Sequence, residues 1–394
     1  MAEARPTPLT VRHTFAEEGT QQRYQLMEIA QGIPDVIALG RGDPDLPTPV
    51  HIVQAAKVAI DEGVDSVTES RGLPELRAAI ADKLLRENQV KVDAERGVVV
   101  TTGGQEAMYL AVQALLKPGE EILVPDPRYS SYDVAIEMAG ATMVMVPTSF
   151  EDGFQLHAEA VEERISQKTR CLLLISPSNP TAGVLSEQSL REVCAVAVKH
   201  DLMVISDEIY EKLLYDGARH VSPASLPGMA DRTVTLNGFS KTFCMTGWRL
   251  GYLAGATAVM DDVASLKQLL SICAPTVSQR AGVAALTGPM DFLSEYLAIY
   301  SRRREIVLSG LDRLGFKYGM PMGAFYVFVD ASSIGMKAID LSRLLLEEGH
   351  VLIFPGTGFG ANWGDFLRIS WVQPEEEVGE AMARIERTLR LRRG

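Results

Sequence analysis

The chain has 394 residues, 46% hydrophobic and 23% charged, an ordinary globular composition with enough length for two domains and a sizeable core in each. Its 38 basic residues against 51 acidic ones leave a net charge of −13, which disfavours nucleic acid and anionic membranes as partners but leaves small anionic ligands open. No apolar run approaches the roughly 18 residues that span a bilayer, and MAEARPTPLTVRHTF at the N-terminus lacks the apolar core of a signal peptide and carries acids foreign to a mitochondrial presequence, so a soluble, cytoplasmic protein is expected.

In chain order, residues 1–30 are polar and mixed, and IPDVIALGRGDPDLPTP after them is a short apolar run broken by Gly and Pro, the chemistry of a loop. Helical spacing follows over 50–63 and 74–88, with Leu76, Ile80 and Leu84 on one face of the second stretch. Short apolar runs then recur at 97–101, 122–124, 143–146, 171–175, 202–205 and 233–236, separated by amphipathic stretches. Near-continuous apolar strands alternating with helices predict a mostly parallel sheet covered on both faces. Ligands of such sheets bind beyond the carboxyl ends of the strands, so the residues after each run belong together.

After the first run, Gly103, Gly104 and Gln105 open an apolar-faced helix, whose bare amides and dipole suit a phosphate, although a Gly-Gly pair also makes a plain turn. After the second comes PDPRYSSY with Tyr129, a residue for the core or for a site. SPSNPTAG with Asn179 follows 171–175, and SDEIY with Asp207 and Tyr210 follows 202–205. A carboxylate after LMVI needs a partner, because an unpaired buried charge is costly, and capping a helix over IYEKLL is one alternative. After 233–236 comes Lys241, which with Arg232 and Arg249 makes up the basic residues of 231–264. An amine in weakly polar surroundings loses its proton more easily and is a candidate nucleophile toward a carbonyl. The four cysteines, Cys171, Cys194, Cys244 and Cys273, have no CxxC spacing; buried thiols are expected, with neither a metal site nor a disulfide framework.

Past residue 255 the pattern turns to long helical stretches, 259–286 interrupted at Pro275 and 292–314 with arginines at 302–304. GAFYVFVD (323–330) reads as a strand, and DFLRISW places Arg368 inside another strand pattern, where it is either a surface residue or a ligand for a planar anion. The last stretch, PEEEVGEAMARIERTLRLRRG, is an amphipathic helix, acidic first and basic last as the helix dipole favours.

The string GFSKTFCMTGWRLG resembles the SxSKxFxMxGxRxG motif of the class I and II aminotransferases, pyridoxal-phosphate enzymes of fold type I, matching at Ser240, Lys241, Phe243, Met245, Gly247, Arg249 and Gly251. IPDVIALGRGDPDLPTP is similar to that family's LxxGxPDFxTP, with Gly42 where the backbone approaches the substrate, and GLPELR matches its GxxxLR segment. The resemblance covers roughly residues 20–390. It implies an α/β fold of type I, a large domain with a mostly parallel central sheet plus a smaller α/β domain: an N-terminal segment, 1–48, packing with the small domain, a cofactor-binding domain, 49–287, and a small domain, 288–394. It also implies a homodimer with sites at the subunit interface.

The roles implied are equally specific. Lys241 binds pyridoxal 5′-phosphate covalently and moves the substrate proton; Gly103, Gly104, Gln105, Ser240 and Arg249 serve the phosphate; Tyr129 stacks on the ring. Asn179 and Tyr210 meet the ring oxygen, and Asp207 pairs with the ring nitrogen, keeping the ring an electron sink. Gly42, Asn179 and Arg368 face the substrate, while Arg41 either reaches the same site or is solvated. Two positions depart from the family: Gly238 replaces a phosphate-binding serine, and Val67 a tyrosine donated across the dimer, which shifts the expected phosphate binding onto Arg249 and the amides at Gly104 and Gln105. The implied activity moves an amino group from an L-amino acid to a 2-oxo acid with ping-pong kinetics. A β-eliminating carbon–sulfur lyase on the same scaffold is the nearest alternative. A regulatory protein binding effector and nucleic acid is a remoter one, opposed by the acidic charge and by the absence of an appended basic helix-turn-helix segment.

Overall fold

The computed structural model describes residues 18–64 and 66–393; the reading of MAEARPTPLTVRHTF as free of a targeting signal lies outside them. The chain opens with α1 (Glu18–Gln31), the two-residue strand β1 (Ile37–Ala38), α2 (Val50–Asp61) and α3 (Pro74–Asn88). Pro74 sits at the first position of α3, where its fixed φ and missing N–H cost nothing. The α/β alternation follows: β2 (Val98–Thr101), α4 (Gly104–Leu115), β3 (Glu121–Asp126), α5 (Ser131–Met138), β4 (Thr142–Pro147), α6 (Ala158–Glu162), β5 (Thr169–Ile175), α7 (Glu187–Lys199), β6 (Met203–Asp207), β7 (Thr233–Gly238) and β8 (Gly251–Ala254). Three helices come next, α8 (Thr257–Leu270), α9 (Thr276–Thr287) and α10 (Asp291–Leu314). The chain continues through β9 (Lys317–Tyr318), β10 (Tyr326–Asp330), α11 (Ala338–Glu347), β11 (Val351–Leu352), β12 (Phe354–Pro355), β13 (Phe366–Ser370) and α12 (Glu375–Arg393).

Strands β2 to β8 form one seven-stranded sheet in the order β2-β8-β7-β6-β5-β3-β4. Its pairings are parallel except those of β8, which runs antiparallel to both neighbours. Period-two alternation splits β5 cleanly: Cys171, Leu173 and Ile175 join the core under α4, α5 and α8, while Leu172 and Leu174 pack under α7 on the opposite face. The expected double-covered sheet is thus present. A second, antiparallel sheet, β12-β13-β10-β9, packs on α10, α11 and α12, and β1 pairs parallel with β11 through Ile37 and Val351.

Four local features differ from what the sequence suggests or go beyond it. Residues 18–31 are helical although their sequence is polar, because α1 is held by docking more than by an apolar stripe: a Cβ on Gly19 would come within 1.9 Å of the Thr357 carbonyl oxygen, and Thr357 Oγ1 donates to Gln22 Oε1 at 2.7 Å. IYEKLL forms turns rather than a helix. GYLA of β8, too short to stand out after the lysine motif, is a fully buried strand. Cys171, Cys194 and Cys244 are buried free thiols as expected, but Cys273 is half-exposed. No helix among the described residues is long and apolar enough to cross a membrane.

Candidate active site

The carboxyl ends of the parallel strands open onto a cavity of about 900 Å³, walled on its other side by α1 and by residues of the second sheet. Lys241 enters it from the loop after β7. Its Nζ donates to the Gly42 carbonyl at 2.8 Å, lies 3.9 Å from Asp43 and sits 5.9 Å over the Phe325 ring. Burial pulls the amine's pKa down to about 8, with Arg368 and Arg249 adding to the fall and Asp43 opposing it. Because β8 pairs with β7, the connecting loop doubles back and brings Arg249 into the same cavity, where its Nη1 donates to the Thr246 carbonyl at 2.9 Å.

Gly104 and Gln105, the first residues of α4, line the same cavity as this guanidinium, together with Ser240. Gly103 takes φ +81°, and a Cβ there would stand 2.6 Å from Arg249 Nη2, so both conformation and space require glycine. A helix N-terminus, an arginine and a hydroxyl on one wall are suited to a dianion.

Asp207, at the end of β6, is buried at 7% exposure. Burial, the dominant influence, raises its carboxyl to about 6, against the downward pull of Tyr132, whose hydroxyl donates to Oδ2 at 2.6 Å, and of the Ile209 amide, which donates to Oδ1 at 3.1 Å. The Ile209 bond closes a turn where a helix cap was the alternative. Behind it lies a buried charge network. Glu208 accepts from Ser206 at 2.9 Å and Ser222 at 2.7 Å and pairs with His220 at 2.9 Å. Glu211 pairs with Lys83 and accepts from Asn88 at 2.7 Å and Asn237 at 2.9 Å. Burial would raise Glu211, but Lys83 and His220 outweigh it and hold the carboxyl at about 2.

Arg368 lies mid-strand in β13 at 4% exposure, which settles its alternatives against a surface residue. Nη1 donates to Asn179 Oδ1 at 2.9 Å and Nη2 to the Gly40 carbonyl at 2.5 Å, while the guanidinium stacks 4.5 Å from the Tyr326 centroid and 4.6 Å from that of Phe359. Burial lowers its pKa, yet a guanidinium stays charged, so the cavity keeps a fixed cation aimed by two acceptors and two rings. Tyr210 OH lies 3.0 Å from Tyr326 OH, and a Cβ on Gly42 would stand 2.2 Å from that same Tyr326 oxygen.

Gly42, Gly104, Gln105, Tyr129, Asn179, Asp207, Tyr210, Ser240, Lys241, Arg249 and Arg368 therefore line one cavity, with Gly103 directly beneath Arg249. Arg41 also lines it, at an exposed position. Sequence reasoning missed Tyr132, Tyr326, Phe354 and the α1 residues Arg23, Tyr24 and Met27. Tyr132 was within reach, three residues after Tyr129 in PDPRYSSY; no sequence signal marks α1. Of the two departures, Gly238 has a packing reason, since a Cβ would meet Gly251 Cα, Ile209 Cδ1 and the Leu250 carbonyl all at 3.1 Å. Val67 is 69% exposed and borders a surface hollow with Thr276 and Arg280 rather than the cavity of its own chain.

A strand-end lysine, a buried acid and two arginines over a type I α/β sheet define an amino-acid-handling enzyme class, and comparison with known families agrees. The family profile "Aminotransferase class I and II" matches residues 34–385, and the chain belongs to that family. It is 41% identical to the aspartate aminotransferase of Pyrococcus abyssi, over 93% of this chain and 95% of that one. The identity is 39% to aromatic-amino-acid aminotransferase 2 of Thermococcus litoralis, over the same shares of the two chains. Among solved structures, the aromatic aminotransferase of Pyrococcus horikoshii superposes with a TM-score of 0.89 at 40% identity, covering 93% of this chain and 99% of that one.

Proposed function

We propose that this aminotransferase holds pyridoxal 5′-phosphate in the cavity and passes an amino group between an amino acid and a 2-oxo acid by a ping-pong cycle, as a homodimer acting in the cytoplasm. The residues fit the cofactor. Asp207 is a buried carboxyl with two donors and room on its cavity side, and the α4 N-terminus, Ser240 and Arg249 form a dianion cradle that a Cβ on Gly103 would fill. When bound, the cofactor supplies a reactive carbonyl carbon and a protonated ring that draws electron density from the substrate's α-carbon.

The rest falls to this chain's own groups. Lys241, with its pKa near 8, offers a substantial neutral fraction at physiological pH and is both the attachment point and the base that moves the proton at Cα. With the cofactor bound, Asp207 would keep its ring nitrogen protonated, Tyr129 would cover the ring, and Asn179 and Tyr210 would meet its oxygen. Arg368, oriented by Asn179 and Gly40, grips the α-carboxylate beside Gly42 through its planar fork. The pairing of β1 with β11 supports 1–48 as a segment of the small domain, with 49–287 and 288–394 as the large and small domains, each containing one of the two main sheets. Exposed Val67 and Leu269, at 69% and 87%, leave apolar side chains open to a second copy.

The observation that carries the reading is the convergence of Lys241, Asp207, Arg249 and Arg368 on one cavity. Relatives of nearly equal identity are named for aspartate and for aromatic amino acids, so names do not select the donor. A screen of amino acids against 2-oxoglutarate, oxaloacetate and pyruvate tests the proposal. Release of ammonia and pyruvate from a β-substituted amino acid, without any acceptor and without transamination, would replace it with the lyase.

A further inference from the structure

We propose that Lys267 of α8 is a positioning residue for the cofactor phosphate. By pairing with Glu106 it cancels a carboxylate in the first turn of α4 and holds the bend that aims that helix's N-terminal amides. The inference rests on the aminotransferase reading above and adds to it a residue from behind the cavity wall. Lys267 is fully buried and is not among the residues that line the cavity. All three of its donors are used: Nζ lies 2.7 Å from Glu106 Oε2, 2.8 Å from Ser271 Oγ and 3.2 Å from Thr102 Oγ1. Replacing a buried ion pair by apolar side chains of similar volume is often neutral or stabilising, so folding alone gives little reason to keep this one.

The location of the pair supplies the reason. Glu106 follows Gly104 and Gln105 in α4; its Oε2 reaches back to accept the Thr102 amide at 2.5 Å, and its Oε1 accepts from Ser271 Oγ. Thr102 thus has both its amide and its hydroxyl tied to the ion pair, immediately before Gly103, whose carbonyl accepts from Thr101 Oγ1 at 3.0 Å. These bonds fix the bend between β2 and α4 from which Gly104 and Gln105 present their amides. Charge matters as much as shape. Burial pulls the Glu106 carboxyl up, but Lys267, Ser271 and the Thr102 amide outweigh it and hold it below the ordinary carboxylate range, so it is ionised at neutral pH. A bare carboxylate within about one turn of a bound dianion would repel it at the helix end whose dipole attracts it. Lys267 leaves the pair neutral, and the α4 dipole and Arg249 then act unopposed. That counts for more in this chain, where Gly238 carries no hydroxyl and Val67 no phenol for the phosphate.

The test strips the enzyme of cofactor and titrates back either pyridoxal 5′-phosphate or phosphate-free pyridoxal, followed by absorbance and equilibrium dialysis. Wild type is compared with Lys267→Met, Lys267→Gln and the double variant Lys267→Met with Glu106→Gln. The ratio of the two affinities isolates the phosphate. Lys267→Met should lower the preference for the phosphorylated form roughly 10- to 100-fold, with pyridoxal affinity changed by less than about threefold. The double variant, neutral again, should recover most of that preference. Lys267→Gln keeps donors for Glu106 without the charge; its preference should fall in the same direction, and it carries the test if Lys267→Met does not fold. Equal losses for both compounds, an unmoved preference, or a double variant no better than Lys267→Met would overturn the assignment. A wild-type protein that binds neither compound defeats the aminotransferase reading together with this inference; one whose preference for the phosphorylated form ignores Lys267 refutes the inference alone.

Discussion

Replacing Tyr132 by Phe removes one hydroxyl and one hydrogen bond, the 2.6 Å donation to Asp207 Oδ2, while leaving the ring packed edge-on against Tyr129 at a centroid distance of 5.7 Å. A hydrogen bond to a buried charged group contributes about 1.5–3 kcal/mol, which at 1.36 kcal/mol per pKa unit corresponds to about 1–2 units. In the cofactor-free protein the Asp207 carboxyl should therefore move from about 6 to between about 7 and 8. The sign follows from burial. The folded protein holds a proton on Asp207 that the unfolded chain gives up near pH 4, so stability falls as pH rises from there through the folded pKa. In Tyr132→Phe the fall continues to about pH 8, so the stability gap to wild type widens between pH 5 and pH 8 by about 1.5–3 kcal/mol. Carbon-13 titration of the Asp207 carboxyl, assigned by its disappearance in Asp207→Asn, reads the shift directly, and denaturant unfolding at the two pH values reads its energetic counterpart. A variant whose Asp207 still titrates near 6, with a pH-independent stability gap, would show that the Tyr132 hydroxyl does not hold this carboxylate.

Lys241→Ala should abolish transamination and borohydride-trapped labelling by pyridoxal phosphate, and the wild-type labelling rate should climb with pH and level off above about 8 as the amine loses its proton; peptide mapping to another lysine would defeat the assignment. Arg368→Ala should raise KM for every amino acid and oxo acid alike, by at least tenfold for the loss of a charged contact of about 1.5–3 kcal/mol; a rise confined to dicarboxylic substrates would make it a side-chain reader. Gly103→Ala forces a Cβ into the left-handed region and against Arg249, so cofactor affinity measured by equilibrium dialysis should drop at least about tenfold. Unchanged affinity would remove Gly103 from the phosphate cradle.

The six apolar runs became strands because parallel strands buried on both faces need no alternation to be visible, and their ends aligned because a common sheet edge aligns them. That is why Gly104, Tyr129, Asn179, Asp207 and Lys241 could be gathered from sequence. What escaped lies where contact between distant segments decides. Residues 18–31 are polar and mixed with no periodic signal, and their seat on Thr357 helps hold them as a helix that delivers Arg23. β8 is four residues long and identifiable only once β2 and β7 flank it. Gly238 reads as a missing serine in one dimension and as a close approach to Gly251 and Leu250 in three.

The loop of residues 239–250 carries both Lys241 and Arg249, and its two ends are clamped by β7 and β8, interior strands of the large sheet, with Gly238 paired to Gly251. Between the ends, the Cys244 carbonyl accepts from Thr48 Oγ1 at 2.8 Å, Trp248 Nε1 donates to Thr48 Oγ1 at 3.1 Å, and Ser278 Oγ donates to the Trp248 carbonyl at 2.8 Å. A segment anchored this way cannot open by fraying at an edge. The buried, hydrogen-bonded amides of Phe239, Phe243 and Met245 should exchange with deuterium only through openings that also unzip the middle of the sheet, on the slow timescale of the protein's most protected strands. Lys241 and Arg249, the residues proposed to hold the cofactor, should thus ride on one of the last parts of the molecule to loosen, so that their arrangement persists until the large domain itself gives way.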